Sequence, residues 1–391
     1  MEIMKVYNST NVWDKAVERA VKAYKDGHRI VVSFSAGKDS MAVLEVMIEA
    51  ARITGNLPVE AWIHDEEIMY PGTYEYALRV AERKEVKMDW KMTGLPGLNV
   101  FNRESPYWWP FDDQLRPDQW MRQPPDWAIR VPYNDFYHVV NPQTYPPPAG
   151  KFLYVTMGVR ATESRRRNTM IHVSGGALSG VSIPGEMGKG RELEKHFRPI
   201  YDWTTKDVWL ACKEKGWDYN TAYDVMTRFG ISRERQRIAP VAMTTHGIRL
   251  LQMASRAWPE WFDRLCVRLP GVRLAALYGK AALTPVRHRA ETWEQAYQRL
   301  CIDEAPAWIA KRAEKYREVM LQRHSRHSTE PILEVAPCPS CTIGRGSWQA
   351  MTTNMYLGDP FLLNTDCDAI GFLEPEDMRP GAGTINGKPT F

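Results

Sequence analysis

The chain has 391 residues, of which 44% are hydrophobic and 25% charged, enough to fill a sizeable core in two domains or in one α/β domain with large insertions. Its formal net charge of +4 does not by itself imply a nucleic-acid partner, which leaves a concentrated basic face. No apolar run approaches a membrane span, and the start MEIMKVYNSTNVWDKA lacks the basic and apolar stretches of a signal peptide, so a soluble, cytoplasmic protein without membrane contact is expected.

Val12, Trp13, Ala16, Val17, Ala20, Val21 and Tyr24 fall at helical spacing between Asn11, a suitable N-cap, and Gly27, which predicts a first helix. Ile30, Val31 and Val32 form a short β-branched run suited to a buried parallel strand, and Ala42, Val43, Val46 and Met47 then recur at helical spacing. The turn SFSAGKDS, residues 33–40, therefore joins a strand to a helix. Such a turn presents free backbone N–H groups and the positive end of a helix dipole, both of which favour a phosphate. The hydroxyls of Ser33, Ser35 and Ser40 and the Lys38 ammonium add donors. A Walker A loop is excluded, because it needs a glycine five residues before its Gly-Lys pair and a Ser or Thr after the Lys; Val32 and Asp39 stand there. The bland alternative is an ordinary turn rich in Ser and Gly.

A second strand is predicted from about Val59 to His64, a third from about Val86 to Met92 and a fourth from about Phe152 to Gly158. Strands alternating with helices argue for a parallel twisted sheet with helices on both faces and a ligand site at the carboxyl ends of the strands. Asp65, Glu66 and Glu67 close the second strand at that edge, where one of them would contact a metal or a ribose unless the cluster is a solvated loop. Residues 102–150 are rich in Pro and aromatics and too long for a plain connection. Trp108, Trp109, Trp120 and Trp127 argue for an ordered flap. For most of these rings, packing onto the sheet is the simpler reading.

MGVRATESRRR, residues 157–167, places Arg160, Arg165, Arg166 and Arg167, with Glu163 and Ser164 among them, after the fourth strand. Guanidinium groups there match phosphate or sulfate oxygens, although consecutive arginines usually mean a solvated face; for Arg160 the site is favoured. From Thr204 to about residue 330 the pattern is helical, and the last residues are Gly- and Pro-rich. The expected organisation is a nucleotide-binding α/β domain over 1–204 with an insertion at about 102–150, a mainly helical layer over 205–330, and a Cys-containing segment over 331–391.

SAGKDS resembles the PP-loop of the ATP pyrophosphatases, S-G-G-x-D-S, matched by Ser35, Gly37, Asp39 and Ser40. Ala36 departs from it, a costly change where the backbone takes a positive φ. Gly158, Arg160, Glu163 and Ser164 resemble the G-x-R-x-x-E-S motif of the phosphoadenosine phosphosulfate (PAPS) reductase-like family, and PIYDWTTKDVW, residues 199–209, resembles its P-I-x-D-W-x-x-x-D-V-W element. Residues 55–83 are also similar to an uncharacterised branch of that family, found on phages and prophages and named for regulators of immunoglobulin-binding proteins. The resemblance implies an adenine nucleotide alpha hydrolase-like fold that binds ATP or a PAPS-like nucleotide and acts between its α and β phosphates. It implies catalytic roles for Lys38, Asp39 and Arg160, with Mg²⁺ held by Asp39. Nucleotide contacts would come from Ser33, Ser35, Ala36, Gly37, Ser40, Gly158, Glu163, Ser164 and Arg165, with adenine near His64 and Asp65. The function implied is activation of an acceptor by adenylation, with sulfur transfer as its use. The alternatives are a component of nucleic-acid modification resembling phosphorothioation, and a nucleotide-sensing regulator. A DNA or RNA acceptor, a sulfur-donor protein and a homo-oligomeric state are the expected associations.

The sulfur-attacking cysteine of true phosphosulfate reductases stands in a late E-C-G-x-H segment, and none follows Lys311. Instead Cys338 and Cys341 form a C-x-x-C, with Cys367 beyond. The three suit a [4Fe-4S] cluster with one open site, or Zn²⁺ with His324 or His327 as fourth ligand. A redox dithiol or unliganded cysteines are the other readings.

Overall fold

Asn11 accepts a hydrogen bond from the Asp14 amide and opens α1 (Val12–Lys25), as its place before the apolar stripe predicts. The structure, a computed structural model, describes residues 10–92, 96–131, 139–173, 175–181, 190–238, 247–338, 346–360, 362, 364–365, 370–371, 373 and 378. The chain divides into two units, Met1–Leu95 with Pro110–Val241, and Pro96–Trp109 with Ala242–Phe391.

In the first unit, β1 (Arg29–Ser33), α2 (Lys38–Thr54), β2 (Val59–Asp65), α3 (Thr73–Ala81) and β3 (Val86–Met92) follow in order. A short antiparallel pair, β4 (Gly97–Leu98) and β5 (Tyr107–Trp108), belongs to the second unit. The first unit resumes with β6 (Ile129–Arg130), β7 (Leu153–Thr156), α4 (Arg165–Val173), β8 (Leu178–Gly180), β9 (Glu194–Phe197), α5 (Thr205–Lys215) and α6 (Ala222–Arg228). The sheet order is β6-β3-β2-β1-β7-β9-β8, parallel except for β8.

Pleat alternation divides the core between the two faces of the sheet. Ile30, Val32, Val59, Ala61 and Ile63 pack with α1, α2 and α3, whereas Val31, Leu153 and Val155 pack with Val131, Val139, Val140 and Tyr145 of the insertion. Handedness accounts for this. The crossovers β1-α2-β2 and β2-α3-β3 run one way along the sheet and put their helices on one face; the connection from β3 to β7 runs the other way and must cover the opposite face. The insertion therefore covers the face that a crossover helix usually covers. Its rings are mostly packing: Trp120 is buried against Phe111, Trp108 and Trp109 are buried in the second unit, and only Trp127 of the four is exposed.

The second unit comprises α7 (Ile248–Ala257), α8 (Pro259–Arg268), α9 (Val272–Tyr278), α10 (Trp293–Gln298), α11 (Ala307–Ser325) and α12 (Trp348–Met355). Tyr297, Cys301, Ala313, Tyr316, Met320, Trp348 and Met351 form a core there. The buried Arg312 guanidinium donates to the carbonyls of Gly358, Asp359 and Gly371 and so ties the segment after α12 to α11. No helix of the described residues is long and apolar enough to cross a membrane.

Candidate active site

The site lies where the strand order reverses, between β1 and β7, the usual ligand position in an open α/β sheet. Ser40, in the first turn of α2, organises the turn after β1. Its Oγ accepts from the Ser35 amide, the Gly37 amide and the Ser35 hydroxyl, each at 3.2 Å, and donates to the Gly37 carbonyl at 3.0 Å. The hydroxyl expected to touch phosphate thus shapes the backbone that would. Ala36 sits at φ +56° and is fully buried, in the left-handed region that costs an L-residue with a Cβ about 1–2 kcal/mol. Its departure from the glycine of the resembled pattern is therefore paid in backbone strain.

Two later segments hold this turn. Gly158, just past β7, lies so close that a Cβ there would be 2.7 Å from the Asp39 carbonyl carbon and 2.9 Å from the Ser40 nitrogen; any side chain would push the loops apart. Asn220 donates from Nδ2 to the Ala36 carbonyl at 3.2 Å, and the Tyr223 hydroxyl accepts the Lys38 amide at 2.8 Å. Neither Asn220 nor Tyr223 is a residue the sequence pattern singles out.

Asp39 is gripped between cations. Arg160 Nε donates to Oδ1 at 2.8 Å and Lys38 Nζ to Oδ2 at 3.0 Å, and both cationic side chains are only 2% exposed. The remaining Arg160 donors reach Thr162 Oγ1, the Trp203 carbonyl and Thr205 Oγ1, which is what the DWTT segment contributes. Burial pulls the Lys38 ammonium below its ordinary pKa, Asp39 opposes this, and Arg237 and Arg160 add to the lowering. Arg167 is lowered by burial and then by Arg237. Four cations thus gather about two carboxylates, Asp39 and Glu163, leaving a field that favours a polyanion. Glu163 pairs with Arg167, and Ser164 Oγ accepts the Arg167 amide at 3.2 Å at the start of α4. Both serve the segment's own shape, and Arg165 and Arg166 are exposed on α4.

At the end of β2 the pleat separates three consecutive carboxyls. Asp65 is fully buried and accepts from Trp90 Nε1 at 2.8 Å, from the Glu67 amide and from Arg122. Glu67 is 1% exposed at φ +67° and accepts the Phe111 and Met121 amides of the insertion. Asp65, expected near the adenine, shares the buried face of β2 with Ala61 and Ile63. Glu66 lies on the other side, with His64. Together with Ser33, Ser35, Trp62 and Met69 they line a cavity of about 230 Å³. Trp62 Nε1 donates to Ser33 Oγ at 2.9 Å. Burial pulls His64 down to about 4, while burial and the Asp65 charge push Glu66 up to about 7.

The fit of these residues to metals is uneven. Both Asp39 oxygens hold cations, so Mg²⁺ at Asp39 would sit against an ammonium and a guanidinium, and this arrangement does not fit it. Of the three late cysteines only Cys338, which is buried, lies among the described residues; Cys341 and Cys367 fall outside them. His324 Nε2 is already engaged by the Glu330 carbonyl at 2.6 Å. Among the described residues no group of three or more His, Cys, Asp or Glu side chains could hold a metal ion.

No protein-family model matches the chain. It is 25% identical over 293 residues, 71% of this chain and 70% of the other, to the uncharacterized protein YbdN of Escherichia coli K12. Among solved structures it is similar to the FMN adenylyltransferase of Candida glabrata, with 10% identity and a TM-score of 0.34, over 56% of this chain and 62% of that one. The PAPS reductase of Candida auris aligns with 13% identity and a TM-score of 0.30, over 56% of this chain and 85% of that one. The U34-tRNA thiolase NcsA of Methanococcus maripaludis, with its [4Fe-4S] cluster, aligns with 13% identity and a TM-score of 0.33, over 67% of this chain and 79% of that one.

Proposed function

We propose that this chain is a PP-loop enzyme that binds ATP or an adenylyl sulfate on the Ser35–Ser40 turn and acts at the bond between the α-phosphate and its leaving group. The observation that carries the reading is the buried Lys38–Asp39–Arg160 cluster set against a turn whose amides open α2. A nucleophilic oxygen of the acceptor attacks the α-phosphorus, the bond to the bridging oxygen breaks, and pyrophosphate leaves with that electron pair. The Asp39 and Ser40 amides in the first turn of α2, which no carbonyl four residues back satisfies, receive the departing charge. Lys38 and Arg160 neutralise it by exchanging Asp39 for phosphate oxygens. The adenylated acceptor then suits sulfur transfer, and the similarity of residues 55–83 supports the immunoglobulin-binding-regulator-like branch. The nucleic-acid reading keeps only Trp127 of its four stacking rings, because Trp108, Trp109 and Trp120 are buried in packing.

The test is product analysis with labelled ATP. AMP or an adenylated acceptor together with pyrophosphate is expected, and Ser40→Ala should lower turnover by about 10²-fold by loosening the turn. ADP and orthophosphate as sole products would overturn the cleavage site. Nucleotide binding without any turnover would make the chain a sensor.

A further inference from the structure

We infer that Glu66 selects the base of the bound nucleotide, its carboxyl pairing with the N1 and N6-amino edge of an adenine in the cavity at the ends of β1 and β2. The inference rests on the nucleotide reading above. The cavity of about 230 Å³ is continuous with the phosphate-binding turn, since Ser33 and Ser35 belong to its wall. Pleat alternation along β2 delivers Trp62, His64 and then Glu66 to that wall and turns Asp65 away from it. Glu66 is thus the acidic residue of the three that a base in this cavity would meet.

A carboxyl group reads a purine differently in its two protonation states. Neutral, it offers one O–H donor beside one acceptor; ionised, it only accepts. Adenine presents a ring-nitrogen acceptor beside an amino donor, the complement of the neutral form. Guanine has a carbonyl acceptor where adenine has its amino donor and a donor at N1, so in the pose that suits adenine it meets the neutral carboxyl acceptor to acceptor and donor to donor, whereas a carboxylate can accept from its N1–H and 2-amino donors. The surroundings of Glu66 decide between them. His64 Nδ1 is 3.4 Å from Glu66 Oε1, and burial keeps that imidazole neutral at ordinary pH, so it supplies no positive charge. Asp65, next in the chain, pairs with Arg122 and accepts from Trp90, and its charge disfavours a second one on Glu66. The carboxyl accordingly keeps its proton up to about pH 7.

The test compares the dissociation constants of ATP and GTP for the full chain, Glu66→Gln and Glu66→Ala between about pH 6 and pH 8.5. The unaltered protein should prefer ATP by about tenfold or more at the acid end, with the preference shrinking as pH rises. Glutamine fixes a donor beside an acceptor, so Glu66→Gln should keep the preference and lose its pH dependence. Glu66→Ala should lose most of it. An ATP preference that Glu66→Ala leaves unchanged, or a pH dependence that survives in Glu66→Gln, would overturn the inference. Ser40→Ala separates it from the underlying reading. If ATP binding needs Ser40 but ignores Glu66, the turn binds nucleotide and the base assignment falls; if the unaltered protein binds neither nucleotide, both fall.

Discussion

The turns after β1 and β2 stand side by side at the same edge of the sheet, yet they are built on opposite plans. After β1, small residues shape the turn, and its own Lys38 and Asp39 are joined by Arg160 arriving from beyond β7. After β2, three carboxyls follow one another, and the pleat sends them to separate places, Asp65 into a buried pair with Arg122, Glu66 to the cavity, and Glu67 to the amides of the insertion. Composition marks both turns as candidate sites. What separates a ligand-facing group from a structural one is which side of the strand it leaves.

Breaking the first turn should have the largest effect. Asp39→Ala removes the partner of two side chains that are each 2% exposed, and uncompensated buried charge costs about 3–5 kcal/mol. Chemical denaturation should show that loss together with lost turnover; a variant of unchanged stability would mean that Arg160 and Lys38 find other partners. Breaking the second turn at Glu67 should cost a comparable amount and act elsewhere. Glu67→Ala strands the Phe111 and Met121 amides at about 1–3 kcal/mol each, and proteolysis should then find the insertion first. Cleavage that starts outside residues 110–130 would count against that anchoring role.

Ala36→Gly sharpens the comparison in the stabilising direction. Relief of the φ of +56° should raise stability by about 1 kcal/mol, seen as a higher denaturation midpoint. No gain would mean that the buried methyl contributes as much as the strain removes. The smallest effect expected is a pH slope. Glu66 is raised to about 7 from an ordinary 4.5, so its contribution is complete below pH 4.5 and lost as pH rises through 7. His64, lowered to about 4 from 6.5, works oppositely, contributing above 6.5 and losing that as pH falls toward 4. Glu66→Gln should flatten the alkaline limb alone; a limb that persists would assign it to another group.

Much of the fold is legible wherever periodicity is local. α1 begins after its predicted cap at Asn11, β2 and β3 lie where alternating or apolar runs place them, and the small-residue turn falls between β1 and α2. β8 and β9 pass unnoticed, because LSG and EKHF carry too few apolar residues to show a period. The site divides in the same way. Lys38, Asp39 and Arg160 stand in motifs, whereas Asn220 and Tyr223 reach the turn from 184 and 185 residues away, and nothing in NTAY announces a hydrogen bond at that range. Asp65 and Glu66 differ by one step of pleat, and an error of one residue in the strand end exchanges their roles.

The distance spanned by those two hydrogen bonds also sets an order of assembly. During synthesis, which proceeds from the amino terminus, β1 and the turn leave the ribosome long before Trp203 and Thr205 can receive Arg160, and before Asn220 and Tyr223 can fasten Ala36 and Lys38. The nascent turn retains the Ser40 bonds and the Lys38–Asp39 pair within residues 35–40. A ribosome-bound chain stopped before residue 220 should therefore carry a formed β1-α2 unit with an unfastened turn, and completion of that turn becomes a late event in the life of the polypeptide.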